Sequence, residues 1–120
     1  MTGNRVLVVD DEDSVRWALT KALERAGYRV DLAADGASGL SAAENPDVDL
    51  ALLDVRLPGR DGLAVLGDLR RRRPDLPVIM MTAYGTLQIA VEAMKQGAYD
   101  YIGKPFDVDE LLLVVGKALE

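Results

Sequence analysis

Five polar side chains stand where apolar runs of this chain end. Asp10 and Asp11 close Arg5-Val6-Leu7-Val8-Val9, Asp54 closes Ala51-Leu52-Leu53, Thr82 closes Val78-Ile79-Met80-Met81, and Lys104 follows Tyr99-Asp100-Tyr101-Ile102. Three carboxylates brought within several ångströms repel one another even at an effective dielectric of about 20. A raised pKa on one of them would relieve this, and so would a bound hard cation with oxygen ligands. Mg²⁺ suits one or two carboxylates completed by a phosphate and waters. With the Lys104 ammonium and the Thr82 hydroxyl beside one carboxylate, the set holds the parts that phosphoryl transfer requires. Taken singly, each residue has a plainer reading. An Asp pair before a helix caps it, a Thr at a strand end makes a local turn, and a Lys before Pro lies on the surface. Only their joint placement points to chemistry.

The elements between them decide whether they meet. Arg5 to Val9 reads as a buried strand, followed by a helix to about Ala26, capped by Ser14 or Asp13 and closed by Gly27. Tyr28 to Ala33 alternates like a strand nearer the edge, Gly36 to Glu44 is a short helix, and the strand that ends in Asp54 starts near Asp49 or Leu50. A loop runs through Gly62. Leu63, Leu66 and Leu69 mark a third helix ended before Pro74, Leu76 to Met81 forms a fourth strand, and Gly85 to Gln96 a fourth helix. A short fifth strand, Tyr99 to Ile102, precedes a last helix from about Val108, capped by Asp107. Strands alternating with helices predict an α/β fold, a doubly wound parallel sheet covered on both faces. In strand order 2-1-3-4-5 the first and third strands meet at the switch point. Asp10, Asp11 and Asp54 then converge outside the carboxyl ends of the strands, where open sheets bind ligands.

Composition narrows the function. A chain of 120 residues is one domain of ordinary size, and 49% hydrophobic residues exclude a disordered chain. No apolar run approaches the roughly 20 residues that cross a bilayer, and the start shows no signal peptide, so no membrane partner is expected. The absence of cysteine fits a cytoplasmic protein, and the absence of histidine removes serine-type triads and most zinc sites. A net charge of -6 argues against nucleic acid as a partner of this domain. The basic run Arg70 to Arg73 sits at a helix end, where the helix dipole favours cations.

Across its whole length the chain resembles the receiver domain of two-component response regulators. The matching motifs are Val8-Val9-Asp10-Asp11, Leu53-Asp54 with Pro58-Gly59 and Asp61-Gly62, Met81-Thr82-Ala83, and Lys104-Pro105-Phe106. Val15-Arg16-Trp17, Asp54 through Gly59, Thr82-Ala83-Tyr84-Gly85 and Gly97 through Tyr101 are most similar to the nitrogen-regulator (NtrC-like) branch. The resemblance implies a flavodoxin-like (βα)5 fold and a phosphoryl group accepted by Asp54 from a histidine of a sensor histidine kinase. It implies Mg²⁺ on Asp11, Asp54 and the backbone carbonyl of Arg56, with Asp10 helping through water. Lys104 would contact the phosphoryl group, the Thr82 hydroxyl would move onto it, and Tyr101 would be the aromatic switch. The domain would promote its own phosphoryl transfer and loss without being an enzyme otherwise. Residues 1–120 would be a single receiver domain, the N-terminal part of a longer regulator whose output is transcription.

Two residues depart from that pattern. Gly103 stands where the branch usually has Pro, and glycine widens backbone freedom next to Lys104. Arg56, two residues past the acceptor, is bulkier and more basic than in many receivers. Other families fit less well. A haloacid-dehalogenase-type phosphatase needs a second Asp where Arg56 stands. A flavodoxin-like cofactor domain needs a phosphate cradle where this chain has four acids. A degenerate receiver, signalling by binding alone, would not need the full set of acceptor, acids, Thr and Lys.

Three further expectations follow. The Lys104-Pro105 bond is cis, largely on the strength of the resemblance. Trp17 lies about 200° round its helix from Val15 and faces away from the core. In the fourth helix Leu87, Ala90, Val91 and Met94 point inward and leave Ile89 outside. In the last helix Val108, Leu111, Leu112, Val115 and Leu119 point inward and leave Leu113 and Val114 flanking. With Tyr101 between the two helices, this helix 4–strand 5–helix 5 face would carry a homodimer on activation.

Overall fold

The structure is a computed structural model that describes residues 4–83 and 87–120. Tyr84 and the expected helix start at Gly85 lie outside the described residues, as does the side chain of Leu87. The elements are β1 (Arg5–Val9), α1 (Asp13–Arg25), β2 (Arg29–Ala33), α2 (Gly36–Ala42), β3 (Val48–Asp54), β4 (Arg56–Leu57), β5 (Arg60–Asp61), α3 (Gly62–Arg72), β6 (Val78–Thr82), α4 (Leu87–Lys95), β7 (Asp100–Gly103) and α5 (Val108–Ala118). The main sheet is parallel, in order β2-β1-β3-β6-β7. That is the expected 2-1-3-4-5 arrangement once the small antiparallel β4–β5 ladder is set apart. The ladder lies where the sequence predicts a loop. Two paired residues on each side are too few to show a period, and Gly59, at φ +73°, turns the chain between them.

Strand period splits the core into two layers. Leu7 and Val9 of β1, Ala51 and Leu53 of β3 and Met80 of β6 face α2, α3 and α4, through Leu40, Val65, Leu66, Leu69 and Ala93. Val6, Val8, Leu50, Leu52 and Ile79 face α1 and α5, through Leu19, Leu23, Leu111 and Val115. A fully buried leucine contributes on the order of 2 kcal/mol, and both layers are built from such residues. Asp10 continues the parity of Val6 and Val8, and Asp54 that of Leu50 and Leu52. The pairing of Val9 with Leu53 then brings the two carboxylates side by side at the sheet's end.

Two helix ends differ in detail from expectation. The N-cap of α1 is Glu12, in place of the expected Ser14 or Asp13; it makes no side-chain cap bond, and Asp13, the first helical residue, pairs with Arg16. Asp107 caps α5 as expected, accepting from the N–H groups of Asp109 and Glu110. Gly27 and Gly97 adopt positive φ just past α1 and α4.

The inward stripe of α4 is corrected. Ala90 and Ala93 are buried and Ile89 is half-buried against the core, whereas Val91 and Met94 are exposed. Gln88, Glu92 and Lys95 are exposed and fix the outward side. In α5, Leu111 and Val115 are buried and Leu112 and Leu119 half-buried, but Val108 is exposed at the helix start. Trp17 is 66% exposed, with the Lys21 ammonium 5.7 Å from its ring centre.

Candidate functional site

The carboxyl ends of β1, β3, β6 and β7 open into a cleft of about 440 Å³, lined among others by Asp11, Glu12, Asp54, Arg56, Thr82, Ile89 and Lys104. Sheet register delivers these residues. Asp54 pairs with Met81, one step before Thr82, and Thr82 pairs with Gly103, one step before Lys104. The Lys104 N–H donates to the Thr82 carbonyl at 2.7 Å, so the lysine begins at a fixed point although a glycine precedes it. The Lys104-Pro105 bond is cis, as expected.

The side chains form one charged knot. Lys104 Nζ donates to Asp10 Oδ2 at 2.6 Å and to Asp54 Oδ2 at 3.1 Å, and lies 3.7 Å from Glu12 Oε1. Asp10 is fully buried, and its other oxygen accepts from the Glu12 N–H at 2.9 Å. Asp54 is 5% exposed, and its Oδ1 accepts from the Arg56 N–H at 3.3 Å. Burial pushes the Asp54 carboxyl above the ordinary carboxylate range; the hydrogen bond from Lys104 opposes this and the charge of Asp10 adds to it. Burial alone would lower the Lys104 pKa, but the bonds to Asp10 and Asp54 outweigh it and hold the ammonium above its usual value. Thr82 is buried at the same end of the sheet.

The donor set fits a hard cation. Asp10, Asp11 and Asp54 can each place one carboxylate oxygen so that all lie within 4.8 Å of one another. An all-oxygen, anionic set matches Mg²⁺ rather than a soft metal. Asp10 has both oxygens engaged, by Glu12 and Lys104, which fits it to an indirect contact, whereas Asp11 is exposed to the cleft.

A family model for the response regulator receiver domain matches residues 6–116. The chain belongs to the response regulator receiver domains. Among its relatives is the DNA-binding transcriptional regulator NtrC of Escherichia coli K12, 47% identical over 114 residues; the match takes in 95% of this chain and 24% of that protein. The chain thus spans about a quarter of the length of the curated relatives it matches. Among solved structures, a CheY-like receiver domain protein from Methanospirillum hungatei JF-1 superposes with a TM-score of 0.93 at 35% identity, covering 98% of this chain and 94% of that one. A CheX-CheY-BeF3-Mg complex from Borrelia burgdorferi gives 0.92 at 30% identity, covering 97% and 89%. The phosphatase and flavodoxin readings fall with this membership.

Within the receiver frame, Asp10, Asp11, Asp54, Thr82 and Lys104 come together and Arg56 lines the cleft beside them. Tyr101 does not join them. It is 42% exposed on β7, beside Ala90, Val91, Met94 and Lys95 of α4. Leu113 is exposed and Val114 half-buried. Ile89, expected outside, lines the cleft instead. Three residues join the site without a role expected from the sequence: Glu12, which reaches Lys104; Arg16, which holds the acid loop; and Gly62, which packs under Asp54. The unbroken acidic run from Asp10 to Asp13 was a signal for Glu12. Arg16 and Gly62 stand in the motifs Val15-Arg16-Trp17 and Asp61-Gly62 that carry the resemblance, but residue type alone gives neither a role in the site. No helix among the described residues is long and apolar enough to cross a membrane.

Proposed function

We propose that Asp54 is the phosphoryl acceptor of this receiver and that a sensor histidine kinase is its donor. The observation that supports this most is a nearly buried carboxylate at the floor of a polar cleft, with an ammonium 3.1 Å from one oxygen. An Asp54 oxygen attacks phosphorus in line and a P–O bond forms. The P–N bond to the kinase imidazole breaks, and its electron pair stays on the nitrogen of a ring already protonated at its other nitrogen, which leaves neutral. Lys104 keeps Asp54 ionised before transfer and meets the phosphoryl oxygens after it. Asp11, Asp54 and the Arg56 backbone carbonyl would hold Mg²⁺, with Asp10 helping through water; bound there, the ion would supply positive charge against the phosphoryl oxygens.

The Thr82 hydroxyl then turns onto the phosphoryl group and Tyr101 moves inward behind it. This repacks the face formed by α4, β7 and α5, where Val91, Met94, Tyr101 and Leu113 are exposed with Val114 beside them, and a homodimer forms through that face. The domain touches neither nucleic acid nor membrane. It is the N-terminal part of a longer cytoplasmic regulator of transcription, and it catalyses nothing beyond its own phosphorylation and dephosphorylation.

Intact-mass analysis after treatment with acetyl phosphate and Mg²⁺ tests the assignment. One phosphoryl adduct is expected, and its persistence in Asp54→Ala would sink the acceptor role.

A further inference from the structure

Arg16 reaches back from the first turn of α1 to the loop that carries the acids. Its Nη1 donates to the Asp10 backbone carbonyl at 2.7 Å, its Nη2 pairs with the Asp13 carboxylate, and its side chain is 17% exposed. The Asp10 N–H is separately tied to the Ala33 carbonyl of β2 at 3.0 Å. Arg16 is itself anchored: its N–H donates to the Glu12 carbonyl at 3.1 Å, and its carbonyl accepts from Thr20 Oγ1 at 2.7 Å. The carbonyl that Arg16 grips belongs to the peptide joining Asp10 to Asp11. That peptide is planar, so holding its oxygen fixes the plane from which the Asp11 side chain departs.

We propose that Arg16 is a positioning residue for the cation site. By holding the Asp10–Asp11 peptide it sets the direction in which the Asp11 carboxylate enters the cleft, and Mg²⁺ binds more tightly because of it. This rests on the reading of Asp10, Asp11 and Asp54 as a Mg²⁺ site. Two effects of removing Arg16 have opposite signs. Losing a positive charge near a cation site favours the cation, but this guanidinium is already paired with Asp13, so the repulsion it exerts is small. Losing the partner that orients a metal-ligating loop weakens binding about tenfold or more. One titration therefore separates the two.

Mg²⁺ affinity is measured by titration calorimetry on the 120-residue chain after chelator treatment, at a temperature where circular dichroism shows each variant folded. Arg16→Met is expected to bind Mg²⁺ about tenfold more weakly than wild type. Ala18→Gly, which loosens α1 without removing any bond to Arg16 or to the Asp10 carbonyl, is expected to bind like wild type. Affinity in Arg16→Met equal to or above wild type overturns the proposal, and so does an equal loss in Ala18→Gly, which would make the effect one of helix stability. Where Arg16→Met does not fold, Arg16→Gln is read by the same criteria. Asp11→Asn separates the two claims. If wild type shows no saturable binding, or Asp11→Asn binds as tightly, the cation site itself fails and the Arg16 role falls with it. Binding lost in Asp11→Asn but intact in Arg16→Met removes the Arg16 role alone.

Discussion

Gly62 follows Asp54 at the start of α3, Gly103 precedes Lys104 at the end of β7, and the two meet opposite surroundings. A Cβ placed on Gly62 would lie 2.2 Å from the Asp54 carbonyl oxygen and 2.6 Å from that of Val55, while the Gly62 N–H donates to the Val55 oxygen at 2.7 Å. The first turn of α3 is thus pressed against the backbone that carries the acceptor, at a distance that admits no methyl group. A Cβ on Gly103 would meet nothing within 4 Å, yet the next residue is the ammonium that bridges Asp10 and Asp54. The acid side of the cleft is held by close backbone packing. The ammonium side is held by charge and by the single Lys104 N–H bond to the Thr82 carbonyl, with little packing around the residue before it. A site that must accept a phosphoryl group and then rearrange needs its nucleophile fixed and its counter-charge able to shift.

Three variants test this contrast, from the largest expected effect to the smallest. Gly62→Ala forces backbone oxygens apart and is expected to destabilise the domain by about 3 kcal/mol in urea unfolding. A loss below about 1 kcal/mol would mean that the acceptor's backbone yields easily, and the contrast would collapse. Asp54→Asn is expected to stabilise the metal-free domain at pH 7, by less than Gly62→Ala destabilises it. Its sign follows from burial, which raises the folded carboxyl pKa above the unfolded one. The cost of the charge is then full above the folded pKa. It disappears as pH falls from there to the ordinary carboxylate value, so the melting curves of variant and wild type should converge in acid. A gap that widens in acid would contradict the raised pKa. Gly103→Ala should add about 0.5 kcal/mol, because it stiffens the unfolded chain and meets no neighbour in the folded one. A measurable loss there would show that the ammonium side depends on glycine after all.

Much of this was legible in the sequence because continuous apolar runs, buried on both faces of the sheet, stop abruptly at polar residues. Asp10, Asp54, Thr82 and Lys104 needed only the strand order to be brought together. The α4 stripe was misread because nearly every turn of that helix carries an apolar residue, so apolar spacing does not define its phase. Its polar positions, Gln88, Glu92 and Lys95, do. Gly62 and Arg16 act through the main chain, on a close approach in one case and on a carbonyl in the other. Neither leaves a pattern in side-chain types. The β4–β5 ladder escaped notice for want of length.

Trp17, the chain's single tryptophan, projects from α1 into solvent with Lys21 over its ring. The molecule therefore carries an optical label on its outer surface. Its emission should be that of a hydrated indole, readily quenched by iodide. An indole already in water has no hydration left to gain, so Mg²⁺ should leave its colour nearly unchanged. A body that covers α1 would strip water from it and shift the emission to the blue. Docking on that helix can thus be followed in real time without attaching a dye.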